Sequence, residues 1–401
     1  MNILILSPKV PYPPIDGGAI ATLSLAQNLK DVGNNVTLLA LNTSKHKADI
    51  SRIPKTIIDK LNMKVVDIDT SISFFSALRN LLFSRLPYNG ERFFKSNFGE
   101  KIIDVIKSEN IDIVQLEGLY MALYTGIIKK HFNIPVVLRA HNLEHVIWQR
   151  NCLFEKNLLK KWYYKILSKR ILKLKKDIIQ HIDAIVPITE HDCKTFKEFR
   201  ASVPIHVACA GINKEFINEI NVPANCSSVF FIGALDWIPN QEGLKWFLES
   251  VWPKVLKKHP YEKFHIGGRN APQWLINIFK KPGIVYHGEV DSAIKFMKQN
   301  GIMVVPLFAG SGMRIKILEG MAAGITIIST TIGVEGINAR PDRDIIIADD
   351  ANIFAEKICY VLENKDICKT IGDNASEFIG KHYDNLEIAG SLMDFYKSIL
   401  K

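Results

Sequence analysis

The stretch PLFAGSGMRIKILEGMAAG, residues 306–324, decides how this chain is read. An apolar run at 301–305 (GIMVV) leads into it, and a second at 325–329 (ITIIS) follows. Between them a Gly-Ser-Gly loop opens a short helix near Met313, and Gly324 stands where a helix C-cap is expected. A strand-loop-helix-strand unit with small residues at the helix start leaves backbone N–H groups available to an anion. Arg314 and Lys316 occupy the first turns, where the helix macrodipole is already positive. Each cation there costs roughly a few tenths of a kcal/mol unless something offsets it. A ligand phosphate would do so. Two solvated surface residues would simply carry the cost, and the pattern alone leaves both readings open.

The chain of 401 residues has room for two to three domains, and its 47% hydrophobic and 23% charged content is that of an ordinary globular protein. No run approaches the roughly 18 apolar residues that span a bilayer. The start, MNILILSPKVPYPP, has too short an apolar run for a secretory signal. Cys152, Cys193, Cys209, Cys226, Cys359 and Cys368 are scattered, without a CxxC or a His at ligand spacing. They read as reduced thiols of a cytosolic protein without a metal site. The net charge of +10 is compatible with nucleic acid, an anionic membrane or phosphorylated substrates. Much of it lies in 156–176, KNLLKKWYYKILSKRILKLKK, which has no acidic residue and has apolar positions at near-helical spacing. That segment fits a surface helix with its apolar stripe in the core, or a helix lying on anionic lipid.

Taken in order, strands are expected at 2–6, 36–41, 65–68, 111–116, 135–138 and 184–187. The loop SPKVPYPPIDGG ends in Gly17 and Gly18, just before a helix at 19–30. GxGxxG is absent, but the glycine pair would let a phosphate or sugar approach the backbone, if it is more than a turn. Glu117 follows the 111–116 strand, and Arg139, Ala140, His141 and Asn142 follow 135–138, with Glu144 just beyond. Ligands of open α/β sheets lie outside the carboxyl ends of the strands, which singles out Glu117, His141 and Glu144, although a lone His is more often structural. Residues 73–98 are aromatic and basic, either helices or a long loop, and suit an apolar or lipid-like acceptor site or plain core packing.

After a connection at 205–216 the alternation restarts. Strands are expected at 229–232, 263–268, 284–287 and 344–348, and helices at 241–257, 291–298, 352–363 and 386–400. Two successive βα runs argue for an α/β protein of two doubly wound, Rossmann-like domains facing across a cleft. The expected division is 1–208, 209–375, and a C-terminal helix within 376–401 that crosses back to the first domain.

At GSGMRIKILEGMAAG the chain resembles the retaining GT-B glycosyltransferases of the group 1 family, and the similarity extends over most of its length. PYPPIDGGAIATLSLAQNL looks like the family's N-terminal glycine loop and first helix, RAHNLEH like its histidine segment and AGINKEF like its hinge. FIGALDWIPNQEGLKWFL is similar to the start of the nucleotide-binding domain in a bacterial surface-polysaccharide branch. The resemblance implies transfer of a sugar from a nucleotide-sugar co-substrate to a hydroxyl of a glycan or lipid-linked acceptor. It implies retained configuration and neither cofactor nor essential metal.

On this resemblance, Glu319 binds the donor ribose, while Arg314, Lys316 and the N–H groups around Ser311, Gly312 and Met313 hold the diphosphate. Gly17 and Gly18 approach the donor from the first domain, and Gly233 borders the nucleotide. His141 sits by the donor sugar and acceptor; Glu117, Asn142 and Glu144 lie on the acceptor side. Glu289 and Val290 are placed at the base pocket on position alone. Ser311 stands where the family's E-x7-E pattern has its first glutamate. The carboxylate's role does not transfer, which favours front-face substitution over a covalent glycosyl-enzyme. The expected setting is cytoplasmic, peripheral to the inner membrane face through 156–176, without nucleic acid. Two alternatives compete: a GT-B epimerase, which would need no acceptor, and a non-enzymatic nucleotide- or nucleic-acid-binding protein using the basic helix.

Overall fold

A strand covered on both faces needs apolar side chains pointing both ways. That is why Ile3, Leu4, Ile5 and Leu6 are all fully buried. In the computed structural model, which describes residues 1–44, 47–199, 202–213, 226–310 and 312–400, they form β1 (Asn2–Ser7). It lies at the centre of a six-stranded parallel sheet. The sheet continues with β2 (Asn35–Thr43), β3 (Lys64–Ile68), β4 (Ile113–Glu117), β5 (Val136–Ala140) and β6 (Ala184–Pro187), in the order β3-β2-β1-β4-β5-β6. The order reverses between β1 and β4, so a crevice opens outside their carboxyl ends.

A second six-stranded parallel sheet comprises β7 (Ser228–Ile232), β8 (Phe264–Gly267), β9 (Ile284–Gly288), β10 (Gly301–Val305), β11 (Thr326–Ser329) and β12 (Ile346–Ile347). Its order is β12-β11-β10-β7-β8-β9, with the reversal between β7 and β10. The quoted stretch leaves the end of β10, at that reversal.

The chain divides into Met1–Ala210 with the helix Asn385–Leu400, and Gly211–Asp384. Ala389, Leu392 and Tyr396 of the last helix pack in the same core as Ile3, Leu25 and Leu29, and Asn385 Nδ2 donates to Ser24 Oγ at 2.9 Å. The expected boundary at 375 lies instead at Asp384, because a helix spans Lys365–His382 and belongs to the second unit. Gly372 obscures that helix in the sequence. It is there because a Cβ at that position would sit 2.1 Å from the Gly324 carbonyl oxygen.

The helix expected at 241–257 is broken into Ile238–Trp246, a π turn Phe247–Val251, and Trp252–Lys258. Pro253, near the start of the third piece, has no N–H to continue the ladder. Residues 73–98 contain the helices Phe74–Phe83 and Tyr88–Phe93 and enter a third, Ser96–Ser108. The basic helix runs Leu158–Ile179 and buries Leu167, Ile171, Leu174 and Ile178 in the first core. Among the described residues, no helix is long and apolar enough to cross a membrane.

The cysteine expectation is corrected. Cys226 and Cys368 form a disulfide across 142 positions, their Cα atoms 6.3 Å apart. Nothing in the spacing shows it, since only the fold brings the approach to β7 beside the Lys365–His382 helix. The cysteines therefore no longer argue for a reducing compartment. Thiol titration of the denatured, unreduced protein should find the four free cysteines, Cys152, Cys193, Cys209 and Cys359, and reduction should expose two more. Cys226→Ser should lower stability by about 2–4 kcal/mol in non-reducing melts; an unchanged melt, or six thiols at the outset, would refute the bridge.

Candidate active site

In the second unit, the residues after β10 turn through Gly310 (φ +120°) and Gly312 (φ +81°) into the helix Ile315–Ala322. Both glycines adopt φ values that side chains resist. The helix has no side-chain cap at its N-terminus; Arg314 occupies the N-cap position with extended backbone. The Arg314 side chain is buried, donates from Nη1 to the Gly312 carbonyl, and lies 5.8 Å from the Trp237 ring centre. Ser311 lies outside the described residues.

Lys316 reaches across the strand reversal. Its Nζ donates to Ile232 O at 3.1 Å and to Asn240 Oδ1 at 3.4 Å, and sits 4.3 Å from the Phe231 ring centre. Gly233 is where that ammonium has room, since a Cβ there would come within 3.3 Å of Lys316 Nζ. Burial, then the neighbouring Arg314 charge, push the Lys316 ammonium down to about 7. One turn further on, burial pushes the Glu319 carboxyl up to about 7, and no hydrogen-bond donor among the described residues reaches it. One short helix thus carries a cation and a carboxylate that are both costly to keep charged without a ligand. A molecule with an anionic group for Lys316 and hydroxyls for Glu319 would relieve both.

The structure brings Arg314, Lys316, Gly312, Met313, Glu319 and Gly233 to this strand reversal. Val290 lies beside the end of β8, its Cγ1 3.3 Å from a Cβ built on Gly267, while Glu289 is exposed.

In the first unit, Glu117 ends β4 and is 1% exposed. Oε2 accepts from Thr22 Oγ1 at 2.9 Å and Arg139 Nη1 at 3.2 Å, and lies 2.5 Å from His141 Nε2. Oε1 accepts from Gln115 Nε2, and Gln115 Oε1 in turn accepts from Tyr396 Oη of the last helix. Burial alone would raise the Glu117 carboxyl, but Arg139 and His141 outweigh it and hold it at about 2. Glu117 is register partner to Arg139 on β5, so strand pairing itself delivers the ion pair.

Expected on the acceptor side, Glu117 is in fact sealed behind His141, whose ring it orients. Glu144 meets Lys175 Nζ at 2.7 Å, and that ammonium also donates to the Asn142 carbonyl at 3.1 Å. Gly17 and Gly18 open the helix Gly17–Asp31, where Asp16 Oδ1 caps Ala19 N at 3.0 Å and Lys9 pairs with Asp16 at 2.5 Å.

Asn240, Trp237, Arg139, Gln115, Thr22 and Tyr396 were not singled out from the sequence. A signal existed for Gln115: it and Glu117 are two apart on an otherwise apolar strand, hence on one face. An arginine ending the apolar run of β5 likewise demands a buried carboxylate.

Glu117→Ala should strand Arg139 without its carboxylate and cost about 3–5 kcal/mol of stability. Because the folded carboxyl is depressed, its contribution is complete above about pH 4.5 and is lost as pH falls toward about 2; an acid titration of wild type should show that loss and the variant should not. Glu319→Gln should act in the opposite sense. Its wild-type carboxyl is raised to about 7, so the unliganded protein loses stability as pH climbs from 4.5 to 7. The variant should therefore melt higher than wild type at pH 8 and alike at pH 4, and equal melting at both would show that Glu319 is not desolvated.

Sequence profiles match both halves of the chain: "Glycosyltransferase Family 4" over residues 15–216 and "Glycosyl transferases group 1" over residues 226–364. An uncharacterized 44.6 kDa protein in the cps region of Klebsiella pneumoniae is 27% identical over 401 residues, covering 98% of each chain. Among solved structures, sucrose-phosphate synthase from Thermosynechococcus elongatus superposes with a TM-score of 0.72 at 16% identity, over 100% of this chain and 99% of that one. Anabaena HepE, solved with UDP and glucose, gives 0.67 at 13% identity, over 99% and 100%. The two parallel sheets and their strand orders are those of the GT-B fold. With half of its length matched by the family 4 profile and most of the rest by the group 1 profile, this chain belongs to the group 1 glycosyltransferases of the GT-B class.

Proposed function

We propose that this glycosyltransferase moves a sugar from a nucleotide-sugar donor to a hydroxyl of a glycan or lipid-linked acceptor in surface-polysaccharide synthesis, retaining the anomeric configuration. The observation that carries the reading is the helix Ile315–Ala322, where a partly buried lysine bonded to neutral oxygens and a partly buried carboxylate that no donor among the described residues reaches stand one turn apart. A nucleoside diphosphate supplies what each lacks: phosphate oxygens for Lys316 and Arg314, and ribose hydroxyls for Glu319. The HepE complex with UDP and glucose and the cps-region relative support the donor class and the setting.

In this reading Arg314, Lys316 and the N–H groups of Gly312 and Met313 take up the charge that develops on the diphosphate as the bond from the sugar's anomeric carbon to the phosphate oxygen breaks. The acceptor oxygen bonds to that carbon on the same face, and its proton passes to a leaving phosphate oxygen. Two fixed cations at the diphosphate do the work a divalent metal would otherwise do, so no essential metal is required. Gly233, Glu289 and Val290 border the nucleoside. His141, oriented by Glu117, hydrogen bonds a sugar hydroxyl or the incoming nucleophile, with Asn142 and Glu144 toward the acceptor.

Arg314→Ala and Lys316→Ala should each lower turnover by about 10² or more, with the Arg314 and Lys316 effects far from additive because both bear on one diphosphate. Turnover should survive EDTA. Collapse on chelation would remove the metal-free mechanism, and trapping of a glycosylated side chain would replace front-face substitution with a covalent intermediate.

A further inference from the structure

The helix Phe74–Phe83 is turned inside out. Asn80 is 3% exposed, while Phe74, Phe75 and Phe83 are 75%, 81% and 83% exposed. The inversion is held in place by side chains. Asn80 Nδ2 donates to Leu86 O at 3.1 Å and to Glu91 Oε2. Arg170, from the basic helix Leu158–Ile179, donates to Asn80 O at 3.1 Å, Asn80 Oδ1 at 3.2 Å and Leu81 O at 2.8 Å. A buried asparagine with its partners supplied fixes which face points out. The outward face is therefore specified, and it is the apolar one.

A second exposed apolar group lies at the start of the basic helix, where Leu158, Leu159 and Trp162 are 80%, 79% and 56% exposed. Arg170 ties this helix to the inverted one through Asn80 and Leu81. At the inverted helix's other end, the Tyr88 hydroxyl accepts from Ser73 N at 3.1 Å, and Tyr88 lies within electrostatic reach of Tyr163. Arg170 therefore joins the C-terminal half of the inverted helix to the basic helix, and Tyr88 links its N-cap, Ser73, toward Tyr163, next to Trp162. On the same two segments Arg85, Lys156, Lys160, Lys161 and Lys165 are exposed, while Arg79 pairs with Glu91 at 3.0 Å. Residues 72–90 and 156–176 contain no acidic residue.

We infer that this face, built from the inverted helix and the first turns of the basic helix, docks the protein on an anionic lipid bilayer. Phe74, Phe75, Phe83, Leu158, Leu159 and Trp162 enter the headgroup–acyl boundary, and the lysines and arginines meet lipid phosphates. Charge selects this occupant. A second copy seated by two-fold symmetry would bring like charges together around the apolar centre. Nucleic acid would engage the cations but leave phenylalanines and leucines in water. The surface differs from a whole-helix face at 156–176, because Leu167, Ile171, Leu174 and Ile178 are committed to the core.

The test is sedimentation of the full chain with vesicles of phosphatidylcholine alone or mixed with phosphatidylglycerol; it needs no turnover, so it succeeds or fails independently of the donor assignment. Binding is expected to the mixed vesicles, weakening with salt, and Trp162 emission, taken as the difference from Trp162→Phe, should shift to the blue. Phe74→Ser/Phe75→Ser/Phe83→Ser alters exposed positions and should weaken partition about tenfold or more, as should Lys156→Gln/Lys160→Gln/Lys161→Gln. Equal binding to both vesicle types, or binding unaffected by the phenylalanine changes, overturns the proposal. A dimer on size exclusion that the phenylalanine changes dissociate, with no vesicle binding by either form, gives the face to a second copy and overturns it too.

Discussion

An ammonium held in a place where it is hard to keep charged organises the second unit. Lys316 Nζ is fixed to the carbonyl of Ile232 at the end of β7, although it belongs to the helix that follows β10. The bond closes the strand reversal and positions the helix over it. Gly233 leaves space for the ammonium, Asn240 offers an amide oxygen, and Asn240 itself is pinned by its bond to Ala234 O at 2.8 Å. Every one of these groups is neutral or positively charged. An anion supplied by a ligand would complete this arrangement.

The first unit shows the contrary arrangement. Glu117 is 1% exposed, yet both its oxygens are bonded, to Thr22, Gln115, Arg139 and His141. Such a network stabilises and orients. It also recruits the C-terminal helix, because Tyr396 bonds to Gln115 two residues before the carboxylate. Satisfied charge in one unit reads as architecture with His141 at its edge. A lysine bonded to neutral oxygens, beside a carboxyl that burial raises, marks a candidate binding site in the other.

Sequence periodicity carried most of the sheet. The apolar runs of β1, β6 and β7 are legible because buried parallel strands admit little else, and the misplaced cations at Arg314 and Lys316 pointed to the candidate site. What the sequence hid depends on proximity in space. Gly243 looks like a weak spot in a helix, but a Cβ there would fall 1.9 Å from the Pro306 carbonyl oxygen, so it lets a helix lie directly against the entrance to the loop. Gly372 concealed a whole helix for the same reason, and the disulfide joins cysteines 142 positions apart. Inversion of the Phe74–Phe83 helix was equally invisible, because periodicity shows that a helix has an apolar face and not which way that face points. The role of Glu117 was misjudged because a carboxylate at a strand's end looks the same whether it faces a ligand or an arginine.

Calorimetric titration of UDP into wild type and Glu319→Ala, in two buffers of different ionisation enthalpy near pH 8, is the most direct test of the nucleotide site on the Ile315–Ala322 helix. Lys316 sits at about 7 before binding, so a bound diphosphate should draw a proton onto it, and wild type should bind UDP with net proton uptake. Glu319→Ala should keep the uptake while losing about tenfold or more in affinity. Equal affinity of the two proteins, with no proton taken up by either, would contradict the account.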